Sequence, residues 1–162
     1  MSGEGRPGGA ADRRSRGGSA GFAVLAALIG IAAGTAGFTF VYGHGGSYLH
    51  DDPAACVNCH IMDPQFDGWL RGSHRSVATC NDCHTPKPLV AKYVTKARNG
   101  FWHSFHFTRG DFEEPIRIKP SNRAVTQARC RSCHGDVVAM MEPAALAPVD
   151  CLRCHATVGH AD

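Results

Sequence analysis

All eight cysteines of this chain sit in one repeated spacing, Cys-x-x-Cys-His, which occurs four times: Cys56, Cys59 and His60; Cys80, Cys83 and His84; Cys130, Cys133 and His134; Cys151, Cys154 and His155. Two thiols three residues apart match the two vinyl groups of a haem, to which they add as thioethers, and the histidine that follows is placed to reach the iron. Cysteine pairs at this spacing also build zinc ribbons and redox disulfides, so the histidine is the discriminating residue. With 10 histidines in 162 residues, four pairs all followed by histidine would arise by chance roughly once in 10⁵ chains. The spacing predicts four covalently bound haem c groups.

Four irons have eight axial positions, and the motif histidines would supply four of them. Candidates for the rest are His74, His103, His106 and His160, with Met62, Met140, Met141 and the lysines. His160 lies five residues after His155, too near to ligate the opposite face of the same ring but well placed for a neighbouring haem. His74, six residues before Cys80, follows the same logic. A lone histidine is usually solvated; in a chain with this many irons, ligation is the stronger expectation for both.

The length leaves room for one compact domain and an appendage. A domain housing four macrocycles has porphyrin where others have side chains, so the chain is expected to wrap its cofactors and not to fold without them. The expected class is mainly α, with a single N-terminal transmembrane helix and a small tetrahaem c-type cytochrome domain of short helices and loops. Much of the formal charge of +3 is N-terminal, where Arg6, Arg13, Arg14 and Arg16 outnumber Glu4 and Asp12. Ionised propionates would take the remainder to roughly −7, a sign unlike that of a nucleic-acid binder.

Residues 1–19, rich in Gly, Arg and Ser, are expected to be a disordered cytoplasmic tail. Residues 20–43 carry no charge, and a helix of that length reaches about 36 Å, enough to cross a bilayer. The arginines before it set the N-terminus in the cytoplasm. The run is long for the apolar part of a cleaved signal peptide, and no convincing A-x-A site follows, which favours a retained anchor in the cytoplasmic membrane. Residues 44–162 then form the haem domain on the outer, periplasmic side. Residues 44–50 read as a short flexible stalk with His44 and His50 solvated, holding the first haem close to the membrane surface.

The motifs are spaced by 24 and 21 residues within pairs and by 50 between them, which suggests two dihaem halves. Residues 89–107 read as a helix with a weak point at Gly100. On it Lys92, Lys96, His103 and His106 share a stripe about 80° wide, with Tyr93, Phe101, Trp102 and Phe105 around them. Aromatics and lysines beside an anchor suggest a helix lying at the lipid interface. Residues 109–119, with Pro115 and mixed charge, read as a surface loop. A helix is expected from Ser121, as N-cap after Pro120, towards Cys130, and residues 140–150 as a connector.

The extended first motif Cys56-Val57-Asn58-Cys59-His60-Ile61-Met62, the second motif, the stretch Lys96-Ala97-Arg98-Asn99-Gly100-Phe101-Trp102-His103-Ser104-Phe105, the loop Glu114–Ile118 and the closing Cys154-His155-x4-His160 resemble the NapC/NirT family of membrane-anchored quinol dehydrogenases. Within it they resemble the small subunits of cytochrome c nitrite reductases, from the anchor to His160. The resemblance implies that Met62 rather than His60 ligates the first iron, whose other face is open or weakly held. It implies His74 and His160 as distal ligands of haems in the C-terminal half, and Lys96 as part of a quinol pocket. Some relatives place an acidic residue where His103 stands, which leaves the proton acceptor open. The implied partners are menaquinol, the lipid bilayer and the catalytic multihaem subunit of a cytochrome c nitrite reductase. The chain would be a quinol dehydrogenase and electron-transfer subunit, not itself the nitrite-reducing catalyst.

A quinol gives up two electrons and two protons, so its site needs an electron acceptor at lipid depth and a base facing outer water. The first haem meets one need, and Lys96 and His103 on one helical face meet the other. The alternative recipient is a nitrate or other terminal reductase. A self-contained reductase would favour the motif Cys-x-x-Cys-Lys, which the sequence lacks, and a soluble carrier would lack the anchor.

Overall fold

A computed structural model describes residues 9–141 and 148–160, with side chains from residue 18 onward. The chain divides into two units between Gly45 and Gly46. The first is dominated by α1 (Gly9–Tyr42). Its stretch Gly18–Tyr42 has 25 residues, a mean hydropathy of 2.1 and no buried residue; it is apolar all round, as a span in contact with lipid must be. The helix starts well before the expected Ala20, so residues 9–19 are helical where the composition predicted disorder. Once the apolar span has nucleated, adding turns costs little. The earlier part of the predicted tail, residues 1–8, lies outside the described residues.

In the second unit the described residues form no strand. Its helices are α2 (Asp63–Arg71), α3 (Cys80–His84), α4 (Leu89–Arg109), α5 (Pro120–Cys133), α6 (Gly135–Met141) and α7 (Cys151–Cys154). Single 3₁₀ turns cover Gly45–Leu49, Pro53–Asn58 and His60–Met62. Among the described residues only Ala55, Gly68 and Thr85 are buried, while Val77, Leu89, Val90, Val94 and Phe101 are exposed. The polypeptide supplies no apolar core of its own, although a domain of this size ordinarily needs one.

The stalk is more ordered than its composition suggested. Its 3₁₀ turn is tied down by Asn58 Nδ2 donating to Ser47 Oγ (3.0 Å), Tyr93 Oη to the Leu49 carbonyl (3.2 Å) and Lys96 Nζ to the His50 carbonyl (2.7 Å). His44 and His50 are exposed, as expected. Helix α4 passes Gly100 unbroken and ends at Gly110, whose φ of +67° is the left-handed conformation that favours glycine at a helix stop. The N-cap of helix α5 lies two residues earlier than expected, at Lys119, with Pro120 in its first turn. Proline's fixed φ and missing N–H suit that place, and Ser121 instead accepts a hydrogen bond from Arg98 Nη2 (2.8 Å). Met140 and Met141 end α6 rather than open a connector, and residues 142–147 lie outside the described residues.

Candidate haem and quinol site

Three of the four motifs are held by local α-helix chemistry, while the first runs through two 3₁₀ turns. The second lies on α3, started by a capping box in which Asp82 Oδ2 accepts from the Thr79 amide (2.9 Å) and hydroxyl (2.8 Å). The third ends α5 and the fourth is α7 itself, each closed by the motif histidine's amide donating to the carbonyl of the first cysteine, both at 2.9 Å. All eight thiols are free. Among the described residues no three His, Cys, Asp or Glu side chains gather as an ion site.

The thiols approach one another in chain order. The neighbouring Cys80 holds the Cys56 thiol down, to about 7, and Cys56 in turn pushes Cys80 up. Burial and then the neighbouring Cys130 raise Cys83, and burial and then Cys151 raise Cys130. Attachment sites one to four thus form a sequence of neighbours.

The histidines separate into distinct environments. His60 has a fully exposed side chain, with Asp63 Oδ2 at 3.8 Å, whereas Met62 is half-buried. His160 stands beside His84, with ring centroids 5.9 Å apart, and His74 beside His134, at 6.0 Å. Two imidazoles ligating one iron from opposite faces, each nitrogen about 2 Å from the metal, have centroids about 6 Å apart. The resemblance assigned His160 to a haem of the C-terminal half; the structure sets it against the second motif instead, because the C-terminal segment folds back along α2. His160 Nδ1 donates to the Gln65 carbonyl on α2 (2.8 Å), which leaves Nε2 free for a metal. Close packing of the same two segments shows at Gly72, where a Cβ would lie 3.2 Å from the Trp69 carbonyl and 3.7 Å from that of Val158. His74 follows α2 in a loop closed by Trp69 Nε1 donating to the Ala78 carbonyl (3.0 Å) and by the Ala78 amide donating to the His74 carbonyl (2.8 Å). Helix α2 therefore holds both His160 and His74, the two histidines whose rings stand beside motif histidines. Burial and then His160 push His84 down to about 4, so it is a neutral donor at neutral pH. His155 is exposed, and no second imidazole is paired with it among the described residues.

Lys96 and His103 share α4 but have different partners. The Lys96 ammonium donates to the His50 carbonyl and to Asp51 Oδ1 (3.0 Å), lies 5.7 Å from the Tyr93 ring centroid, and only 11% of its side chain is exposed. It is also near enough to Cys56 to favour the thiolate there. Asp51 accepts from Lys92 as well, and from Asn81 Nδ2 (2.9 Å); the two lysines hold its carboxyl below the usual range. Asp51 escaped the sequence reading because its partners lie 30 to 45 residues away. His103 keeps an exposed surface, yet the atoms packed around its ring desolvate it, and with Lys119 and His106 they lower its pKa. His106 is engaged by Asp111, Nδ1 to Oδ1 at 2.8 Å, and lies against Trp102. Met140 and Met141 are exposed.

Free paired thiols, imidazoles at axial separation and a domain without its own apolar core fit covalent haem. Comparison with known proteins agrees. Cytochrome c-type protein NrfH of Wolinella succinogenes is 36% identical over 126 residues, 70% of this chain and 71% of that protein. Cytochrome c nitrite reductase subunit NrfH of Nitratidesulfovibrio vulgaris is 34% identical over 113 residues, 68% of each. A chain in the crystal structure of a cytochrome c nitrite reductase NrfHA complex bound to the inhibitor HQNO matches with a TM-score of 0.59 and 30% identity, over 86% of this chain and 90% of that one. The description NapC/NirT cytochrome c family, N-terminal region, matches residues 18–162, and the chain belongs to that family.

Proposed function

We propose that this chain is the membrane-anchored tetrahaem subunit that oxidises menaquinol and delivers the electrons to the catalytic multihaem subunit of a cytochrome c nitrite reductase. The observation that carries the reading is the likeness, along 90% of its length, to a chain of a solved nitrite reductase complex that holds a quinol-like inhibitor. Residues 18–42 anchor the chain with the N-terminus in the cytoplasm, and the haem domain faces the outer side.

Cys56, Cys59, Cys80, Cys83, Cys130, Cys133, Cys151 and Cys154 bind four haems as thioethers. Met62 would hold the first iron, which leaves His60 in solvent; His84, His134 and His155 would hold the others, with His74 and His160 as further ligands. Haem, when bound, supplies one-electron redox chemistry at each motif. Lys96, fixed beside the first motif, donates a hydrogen bond to a quinol oxygen. His103, kept neutral by its surroundings, takes in turn the two protons that the quinol hydroxyls lose as the two electrons leave for the first haem, passes each to water, and the quinone oxygens stay on the ring.

The test is reduction in liposomes. The holoprotein should be reduced by menaquinol and reoxidised when the catalytic subunit and nitrite are added. Haems that stay ferric with menaquinol yet reduce with dithionite would refute the quinol reading. Reduction by quinol without reoxidation by that subunit would refute the partner.

A further inference from the structure

Within the proposed quinol site, Asp51 connects every segment. It precedes the first haem motif, accepts from Asn81 inside the second, and accepts from Lys92 and Lys96, one turn apart on α4. Of Lys96's three N–H bonds, two are committed to the His50 carbonyl and Asp51 Oδ1. Their directions settle where the third points, and the Tyr93 ring beside the ammonium limits its freedom further. A lysine without these acceptors samples many rotamers, and binding then bears the cost of ordering it.

We infer that Asp51 is the positioning residue of the quinol site: its carboxylate, held by Lys92 and Asn81, aims the remaining N–H of Lys96 at the oxygen of a quinol headgroup beside the first haem motif. This rests on the quinol reading above and adds to it the residue that sets the donor. Asp51 is not the proton acceptor, since two ammonium groups stabilise its ionised form. Asp52, next in sequence, does something else: it accepts from the Ala54 amide (2.9 Å) and caps the 3₁₀ turn that begins the first motif.

The test is HQNO binding to the holoprotein in detergent, followed by fluorescence quenching, with quinol-driven haem reduction measured in parallel. Asp51→Asn should weaken HQNO binding about tenfold, the size expected for losing a charge-assisted hydrogen bond, with the dithionite-reduced haem spectrum unchanged. Asp51→Glu should fall between the wild type and Asp51→Asn. Asp52→Asn, which removes the neighbouring carboxylate but keeps an oxygen to cap the 3₁₀ turn, should bind as the wild type does. If Asp51→Asn does not incorporate four haems, Asp51→Glu carries the test and must still bind measurably more weakly than the wild type. Wild-type affinity in the loaded Asp51 variants, or equal weakening in Asp52→Asn, overturns the role of Asp51 while leaving the quinol reading in place. Failure of the wild type to bind HQNO removes the quinol reading itself.

Discussion

Trp69→Phe isolates the bracket that presents His74. The substitution keeps an aromatic ring on α2 but deletes the Nε1–H that donates to the Ala78 carbonyl at 3.0 Å. That bond closes the loop in which the Ala78 amide donates to the His74 carbonyl. Losing one part-buried neutral hydrogen bond and leaving its acceptor short of a partner costs about 1–2 kcal/mol. If the cost falls on the arrangement with His74 against His134, the population with His74 swung away rises about 5- to 30-fold. Carbon monoxide binds reduced haem only where an axial position is open, so its binding rate to the dithionite-reduced holoprotein reads that population. Trp69→Phe should accelerate the slow phase by this factor, and His74→Ala should convert it to a fast one. An accelerated His74→Ala beside an unaltered Trp69→Phe would show that the bracket does not hold the ligand, and unaltered kinetics in both would remove His74 from the iron.

His60→Ala should leave the haem count and the ferrous spectrum as they are, because its side chain is fully exposed, whereas Met62→Ala should lower the potential of one haem in a redox titration; the reverse pattern would return the first iron to His60. Lys119→Gln removes a cation that holds the His103 pKa down. The active form of His103 is the neutral imidazole, present above its pKa and lost as pH falls through it, so raising that pKa should move the acid limb of the quinol-oxidation pH profile upward. An acid limb that stays put would take His103 out of proton transfer. Arg123→Ala deletes two hydrogen bonds to Asp150, each 2.8 Å. Both side chains are more than a third exposed, so solvent screening holds the loss to about 0.5–1 kcal/mol, to be read as a small decrease in the urea midpoint of Soret loss.

What was legible in the sequence was what is local. The thioether motifs need only three-residue spacing, the anchor only an uncharged run, and α4 only its period. The pairing of His84 with His160, and of His74 with His134, joins distant stretches and depends on how the C-terminal segment lies along α2, which no short window records. Asp51 reads as one more polar residue before a helical turn until the structure brings Lys92 and Lys96 to it. The stalk misled for a related reason: Gly45 and Gly46 suggest freedom, but two of the three acceptors that fix the stretch are backbone carbonyls, invisible in residue type. At α5 the sequence offered two adjacent start signals, and the proline's preset backbone prevailed over the serine's capping oxygen.

The ties between segments are polar and end on the motifs. Arg129 Nε donates to the carbonyl of Asp82, inside the second motif, at 2.6 Å. From the same helix, Gln127 and Arg131 each donate to the Val149 carbonyl at 2.6 Å, and Arg123 clasps Asp150, the residue before Cys151. Helix α5 carries the third motif at its own end, so one rigid element fixes the second, third and fourth attachment sites relative to each other. With no apolar core among the described residues, these bonds cannot act as late adjustments to a packed interior; they set the register in which the thiols are presented. The order of neighbours from Cys83 to Cys130 to Cys151 follows from that helix. The first motif is joined to the rest through Asp51 and Asn81 instead. Changes along α5 should therefore act on spacing within the last three sites, while changes at Asp51 act on the site where a quinol would enter.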